Sequence, residues 1–246
     1  MSKSLLSLLT VLLCMMLISV VSANSLEAEV VFEADMNSET ELLEDALAGK
    51  RDTGLDVSYS AEILDNEDVN ISGKEGKKAN SSQKINTYYT VQKLKEVREG
   101  DNVTESYVVL AVSDPTGYDD RDRDQNNGLN FRQTIWAWYD VYTHDFITYA
   151  KGTRYEARWD LLDSNRLTIK NGTFRAVADG FSPNNDRIEE ESPSTYYPPD
   201  WGIRYVKTPK WDYVNVSGEG WVGAEIITDY QAGSSSGKLR SVVQVN

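Results

Sequence analysis

The sequence predicts an all-β protein: an antiparallel β-sandwich or jelly-roll-like body, preceded by a signal peptide and an acidic leader with one short helix. Three observations carry that prediction. Hydrophobicity alternates with a period of two from residue 85 to the C-terminus, the alternating runs are rich in β-branched and aromatic residues, and turn formers separate them. With 26% charged and 10% aromatic residues, the composition is that of a folded domain.

Residues 1–23 read as a signal peptide. Lys3 precedes an apolar run at 5–21, and Val21-Ser22-Ala23 offers the small residues that signal peptidase accepts. A retained anchor would need about 20 apolar residues and usually lacks such an exit. Lipidation at Cys14 is disfavoured because Leu13 is large and Cys14 lies inside the apolar run. The expected location is secreted, with no membrane attachment after cleavage.

The leader follows at 24–54. Between residues 24 and 70 there are 14 acids against Lys50 and Arg51, while the rest of the chain is nearly neutral. Such a segment repels phosphates, so nucleic acid is excluded as a primary partner. Ser38 and Glu41 have the spacing of a capping box, and Leu42, Leu43, Ala46 and Leu47 form a stripe that Gly49 ends. A docking helix is the simpler reading; the other is a prosegment ending at the dibasic Lys50-Arg51.

The β-sandwich domain is expected at 55–246 as one unit, with a flexible polar loop near 73–84. Val57, Tyr59, Ala61 and Ile63 alternate with polar residues as one strand. Further strands are expected at 85–97, 103–113, 129–143, 154–161, 166–170, 173–178, 201–206, 211–216, 221–230 and 239–245. Asn171-Gly172 predicts a type I′ hairpin turn, because glycine accepts positive φ. Residues 142–145 read as another turn, and 182–199 as a long polar loop. Residues 131–142 are apolar on both faces, so that strand is either central and covered twice or shows one aromatic face to a ligand.

The chemistry is narrowed by absence. The chain has one Cys, inside the signal segment, and one His, so a mature thiol nucleophile, a Cys/His zinc site and a multi-His centre are excluded. The mature chain is also disulfide-free. His144 sits in the predicted turn and no Gly-X-Ser-X-Gly elbow occurs, which argues against a serine triad. Carboxylate chemistry survives, with Asp140, Glu156, Asp160, Glu219 and Glu225 in the body, but nothing selects a pair. Five Asn-X-Ser/Thr sequons, at Asn70, Asn80, Asn102, Asn171 and Asn215, exceed chance only mildly.

Two candidate sites emerge. Trp136, Trp138, Trp201 and Trp211 are candidates for an aromatic platform, since planar rings stack on sugar faces. Asp120, Asp122 and Asp124 alternate as in calcium loops, with Asn127-Gly128 to close the turn; Gln125 and Phe131 depart from the EF-hand pattern. The resulting expectation is an exported, non-enzymatic protein that binds a glycan or an extracellular protein, with calcium as a structural ion. The alternatives are a secreted carboxylate-dependent polysaccharide hydrolase or lyase, and a secreted toxin or antimicrobial protein with a removable acidic leader.

Overall fold

The computed structural model describes residues 28–64, 85–114, 131–162, 167–232 and 235–246. The signal segment, the polar loop at 73–84 and Asp120, Asp122 and Asp124 lie outside these residues. The described chain is almost entirely β, in two antiparallel sheets, with one short helix.

The strands are β1 (Glu29–Glu33), β2 (Val57–Leu64), β3 (Asn86–Glu99), β4 (Asn102–Asp114), β5 (Phe131–His144), β6 (Ile147–Leu161), β7 (Leu167–Phe181), β8 (Arg187–Tyr196), β9 (Arg204–Lys207), β10 (Val214–Asn215), β11 (Trp221–Ala232) and β12 (Ser235–Val245); helix α1 is Glu39–Leu47. The first sheet runs β1-β3-β4-β5-β6-β10, with β9 also paired to β6, and the second runs β2-β12-β11-β7-β8. Strands β3 to β6 form an uninterrupted meander.

Alternation along each strand builds the core. Val109 and Ala111 of β4, Ile135, Ala137 and Tyr139 of β5, and Ala157 and Trp159 of β6 face Phe174 and Ala176 of β7, Ala224 and Ile226 of β11, and Leu239 and Val243 of β12, all within one buried cluster. A polar bolt crosses this core. Gln133 Oε1 accepts from Ser241 Oγ at 2.7 Å, Ser113 Oγ and Ser241 Oγ lie 2.8 Å apart, and Thr228 Oγ1 accepts from both Gln133 Nε2 and Trp159 Nε1. Each of these residues is fully buried, so the bonds replace those to water and fix one register of sheet on sheet.

Three expectations are corrected. Asn171-Gly172 is not a turn: both residues lie inside β7, paired with Asp229 and Thr228 of β11. Gly172 is required by close approach, because a Cβ there would lie 2.7 Å from the Trp159 ring. The loop expected at 182–199 contains β8, an edge strand whose acidic, Pro-containing sequence hides its β character. The leader also contributes β1, which pairs with β3 from Glu29 opposite Arg98 to Glu33 opposite Lys95.

The turn expected at 142–145 falls later in the chain: residues 142–144 end β5, and His144 pairs with Ile147 across a tight β5–β6 hairpin. Its two central residues, Asp145 and Phe146, have φ of 50° and 65°. Both adopt the left-handed conformation that such a turn demands, although neither is glycine.

Candidate functional site

The sheet β1-β3-β4-β5-β6-β10 carries two features, one covered on its outer face and one open near the β5–β6 hairpin. The covered one starts with α1. Ser38 Oγ accepts from Glu41 N at 3.3 Å and Ser38 N donates to Glu41 Oε2 at 2.9 Å, the capping box expected from the spacing. The cap aims the apolar stripe at the sheet, where Leu42 is buried against Leu110, Val112 and Trp136 with Leu43 packed beside it, and Ala46 is buried one turn further on. The segment before α1 is sewn to β3 by Asn37 N to Gln92 Oε1 at 3.0 Å and Ala34 N to Leu94 O at 2.8 Å.

Period-two placement puts Arg154, Glu156, Arg158 and Asp160 of β6 on the same outer face as Trp136 and Trp138 of β5. The Arg204 and Arg158 guanidinium carbons lie 4.3 and 5.0 Å from the Trp136 ring centroid, and that of Arg154 lies 5.2 Å from Trp138. Glu39, in the first turn of α1, bridges two of these cations: Oε1 is 2.5 Å from Arg158 Nη2 and Oε2 is 2.6 Å from Arg204 Nη2. Buried Glu156 bridges Arg154 at 2.5 Å and Arg204 at 2.9 Å, while Arg158 Nε holds Asp160 at 2.9 Å. Burial raises the Glu39 pKa, but the hydrogen bonds and charges of Arg158 and Arg204 outweigh it and hold the carboxyl below its ordinary value.

A small cavity of about 10 Å³ remains under the helix, lined by Glu39, Leu43, Leu110, Val112, Arg132, Thr134 and Arg158. Arg132 Nε is buried without a hydrogen-bond partner among the described residues. Burying Leu42 stabilises docking by about 1.5–3 kcal/mol, and half-exposed ion pairs add roughly 0–1 kcal/mol each. A nine-residue helix is marginal by itself.

The open feature lies on the β5–β6 hairpin. Tyr142 and Tyr149 stack with centroids 5.1 Å apart and planes 17° from parallel, and Tyr213 meets Tyr142 edge-on at 4.9 Å. Tyr142 also lines a groove of about 290 Å³ together with Gly54, Asp101, Val103, Glu105, Val141, Thr143 and Thr148. Burial, reinforced by Asp140, Tyr142 and Asp212, pushes the Tyr213 phenol up to about 12, so it remains a neutral donor.

The four platform tryptophans are dispersed. Trp136 and Trp138 are neighbours on β5, but Trp136 is 1% exposed beneath α1 and Trp138 is half-buried. Trp201 is 36% exposed in the turn before β9, and Trp211 packs half-buried on the main core. Among the described residues no ring contact joins Trp201 or Trp211 to the β5 pair. No group of three or more His, Cys, Asp or Glu among the described residues is arranged to hold a metal ion.

The body carboxylates serve mostly as ion-pair and hydrogen-bond partners. Besides Glu156 and Asp160, Glu225 is buried between Arg175 and Arg240, and Asp140 accepts from Ser106 Oγ at 2.7 Å. His144 is exposed at the end of β5, with Asp145 at 3.4 Å. Arginines 154, 158 and 204 are absent from the candidate set, although the alternation Arg154-Glu156-Arg158-Asp160 beside Trp136 and Trp138 is a signal the sequence carries.

No family model, no curated protein and no solved structure matches this chain.

Proposed function

We propose that this is an exported β-sandwich protein that acts by binding, without catalysis, and that its ligand at or outside the cell surface is a glycan or another protein. The observation that carries the reading is the open groove beside the stacked Tyr142 and Tyr149. Tyr142 belongs to both: its ring suits the C–H face of a sugar, and round the end of the sheet the groove it lines adds Asp101, Glu105, Thr143 and Thr148 as polar partners for hydroxyls. Polysaccharide pull-down followed by titration of Tyr142→Ala and Tyr213→Ala is the direct test. A loss of about tenfold or more in affinity for each is expected, since an aromatic contact and its ordering are worth 1–2 kcal/mol. Trp201→Ala and Trp211→Ala test whether the platform extends to those rings, and Trp136→Ala lowers stability before it affects binding.

A carboxylate-dependent hydrolase or lyase is the second reading, favoured by Asp101 and Glu105 in one groove. Glu105 is engaged by Lys93 at 2.5 Å and by the Tyr107 hydroxyl at 2.8 Å, which suits a structural role better. Release of reducing ends from a bound polysaccharide, abolished by Asp101→Asn, would establish catalysis.

A further inference from the structure

We infer that the outer face of the β1-β3-β4-β5-β6-β10 sheet beneath α1 is a binding site for an acidic amphipathic helix, occupied in this structure by the chain's own leader. The site has the parts of a helix receptor rather than of a plain core. Its floor is apolar, built from Leu110, Val112 and Trp136, and one side of it is cationic, with Arg158 and Arg204 held against the Trp136 ring. The occupant matches both parts at helical spacing: Glu39 meets the two guanidiniums, and Leu42, three residues on, fills the apolar floor with Leu43 packed beside it.

Two features separate this contact from ordinary packing. The cations outnumber their partners within the sheet: the guanidiniums of Arg154, Arg158 and Arg204 share two sheet carboxylates, Glu156 and Asp160, and Glu39 supplies the third by taking an Nη2 from each of Arg158 and Arg204. Opening the helix therefore leaves two aimed donors and an exposed tryptophan, which a carboxylate with an adjacent apolar stripe would satisfy. Contact under the helix is also incomplete, with a residual cavity and, beside it, an Arg132 Nε that has no hydrogen-bond partner among the described residues. A sugar acid could engage the arginines but would leave Leu110 and Val112 uncovered, so a helical polypeptide is the ligand the floor favours. The leader then acts as a tethered competitor, and a ligand in trans binds in proportion to the fraction of open molecules.

The test uses the full mature chain and a labelled peptide of residues 36–50, read by fluorescence anisotropy. Leu42→Asp and, separately, Ala46→Glu open the cover, with melting curves to confirm that the body stays folded. Each is expected to bind the peptide at least about tenfold more tightly than the unaltered chain. Adding Arg158→Ala and Arg204→Ala to either variant is expected to remove about tenfold or more of that affinity, and a scrambled peptide is expected not to bind. Folded opening variants that bind no better than the unaltered chain would overturn the inference, as would binding indifferent to the arginines. Capture of polygalacturonate in place of the peptide would overturn the helical ligand. None of these outcomes bears on the tyrosine groove, whose own variants test the proposed function separately.

Discussion

Phe146 is wholly exposed at the tip of the β5–β6 hairpin and holds a φ of 65°. A bulky residue in the left-handed region costs about 1–2 kcal/mol relative to glycine, and no burial offsets it here. Phe146→Gly should therefore raise the melting temperature by about 2–4 °C per kcal/mol recovered, checked by calorimetry. Thr228 shows the opposite sign. Its hydroxyl accepts from Gln133 Nε2 and Trp159 Nε1 in the core, so Thr228→Val strands two buried donors and should cost about 1–3 kcal/mol per donor in denaturant unfolding. At this scale the sequence was legible where one residue type has one reason to be present. Ser38 and Glu41 spell a cap because the capping bonds are local. Gly172 misleads because the same glycine answers two needs, positive φ and a neighbouring Trp159 ring, and only the second operates.

Helix α1 is the element on which a pH dependence rests. Its Glu39 carboxyl lies below the ordinary 4.5, so the contribution of its ion pairs is fully present above that value and is lost as pH falls through 4.5 and beyond. Protection factors at amides 39–47, taken relative to the intrinsic exchange rate at each pH, should fall between about pH 5 and 3 before the sheets lose protection. Protection in that segment that changes only with global unfolding would show that Glu39 does not hold the cover. Most strands are legible because their inner faces alternate. Strands β1 and β8 are hidden because they are edges, whose sequences are shaped by solvent rather than by a core. The helix is legible but its berth is not, since Trp136 and Leu42 meet only after the 93 residues between them have folded.

For the molecule as a whole, the acidic alternation at Asp120, Asp122 and Asp124 bears on stability. If calcium binds there, it adds RT ln(1 + [L]/Kd), about 2.7 kcal/mol at a hundredfold excess over Kd. The melting temperature should then rise by several degrees in millimolar calcium and fall back with chelator, and Asp122→Asn should remove most of the difference. Identical curves in calcium and chelator would reduce the loop to solvated charge. With a single Cys, the chain cannot form an internal disulfide, so the core and the polar bolt through Gln133 and Thr228 tie sheet to sheet.

The berth of α1 also sets an order of assembly. Glu39 finds its cationic partners 119 and 165 residues further along the chain, and β2 pairs throughout with β12, from Val57 opposite Val245 to Leu64 opposite Lys238. The meander β3 to β6 pairs strands that follow one another in the chain, so it can form early, and it already holds the floor under α1, whereas β2 waits for the last strand and Glu39 waits for Arg204. In pulse-labelled refolding, the amides of β2 should gain protection after those of β4 and β5. A chain arrested before Arg204 would hold its meander with α1 docked on it but short of one of the two cations that Glu39 meets, so the leader would be released more readily until the fold is nearly complete.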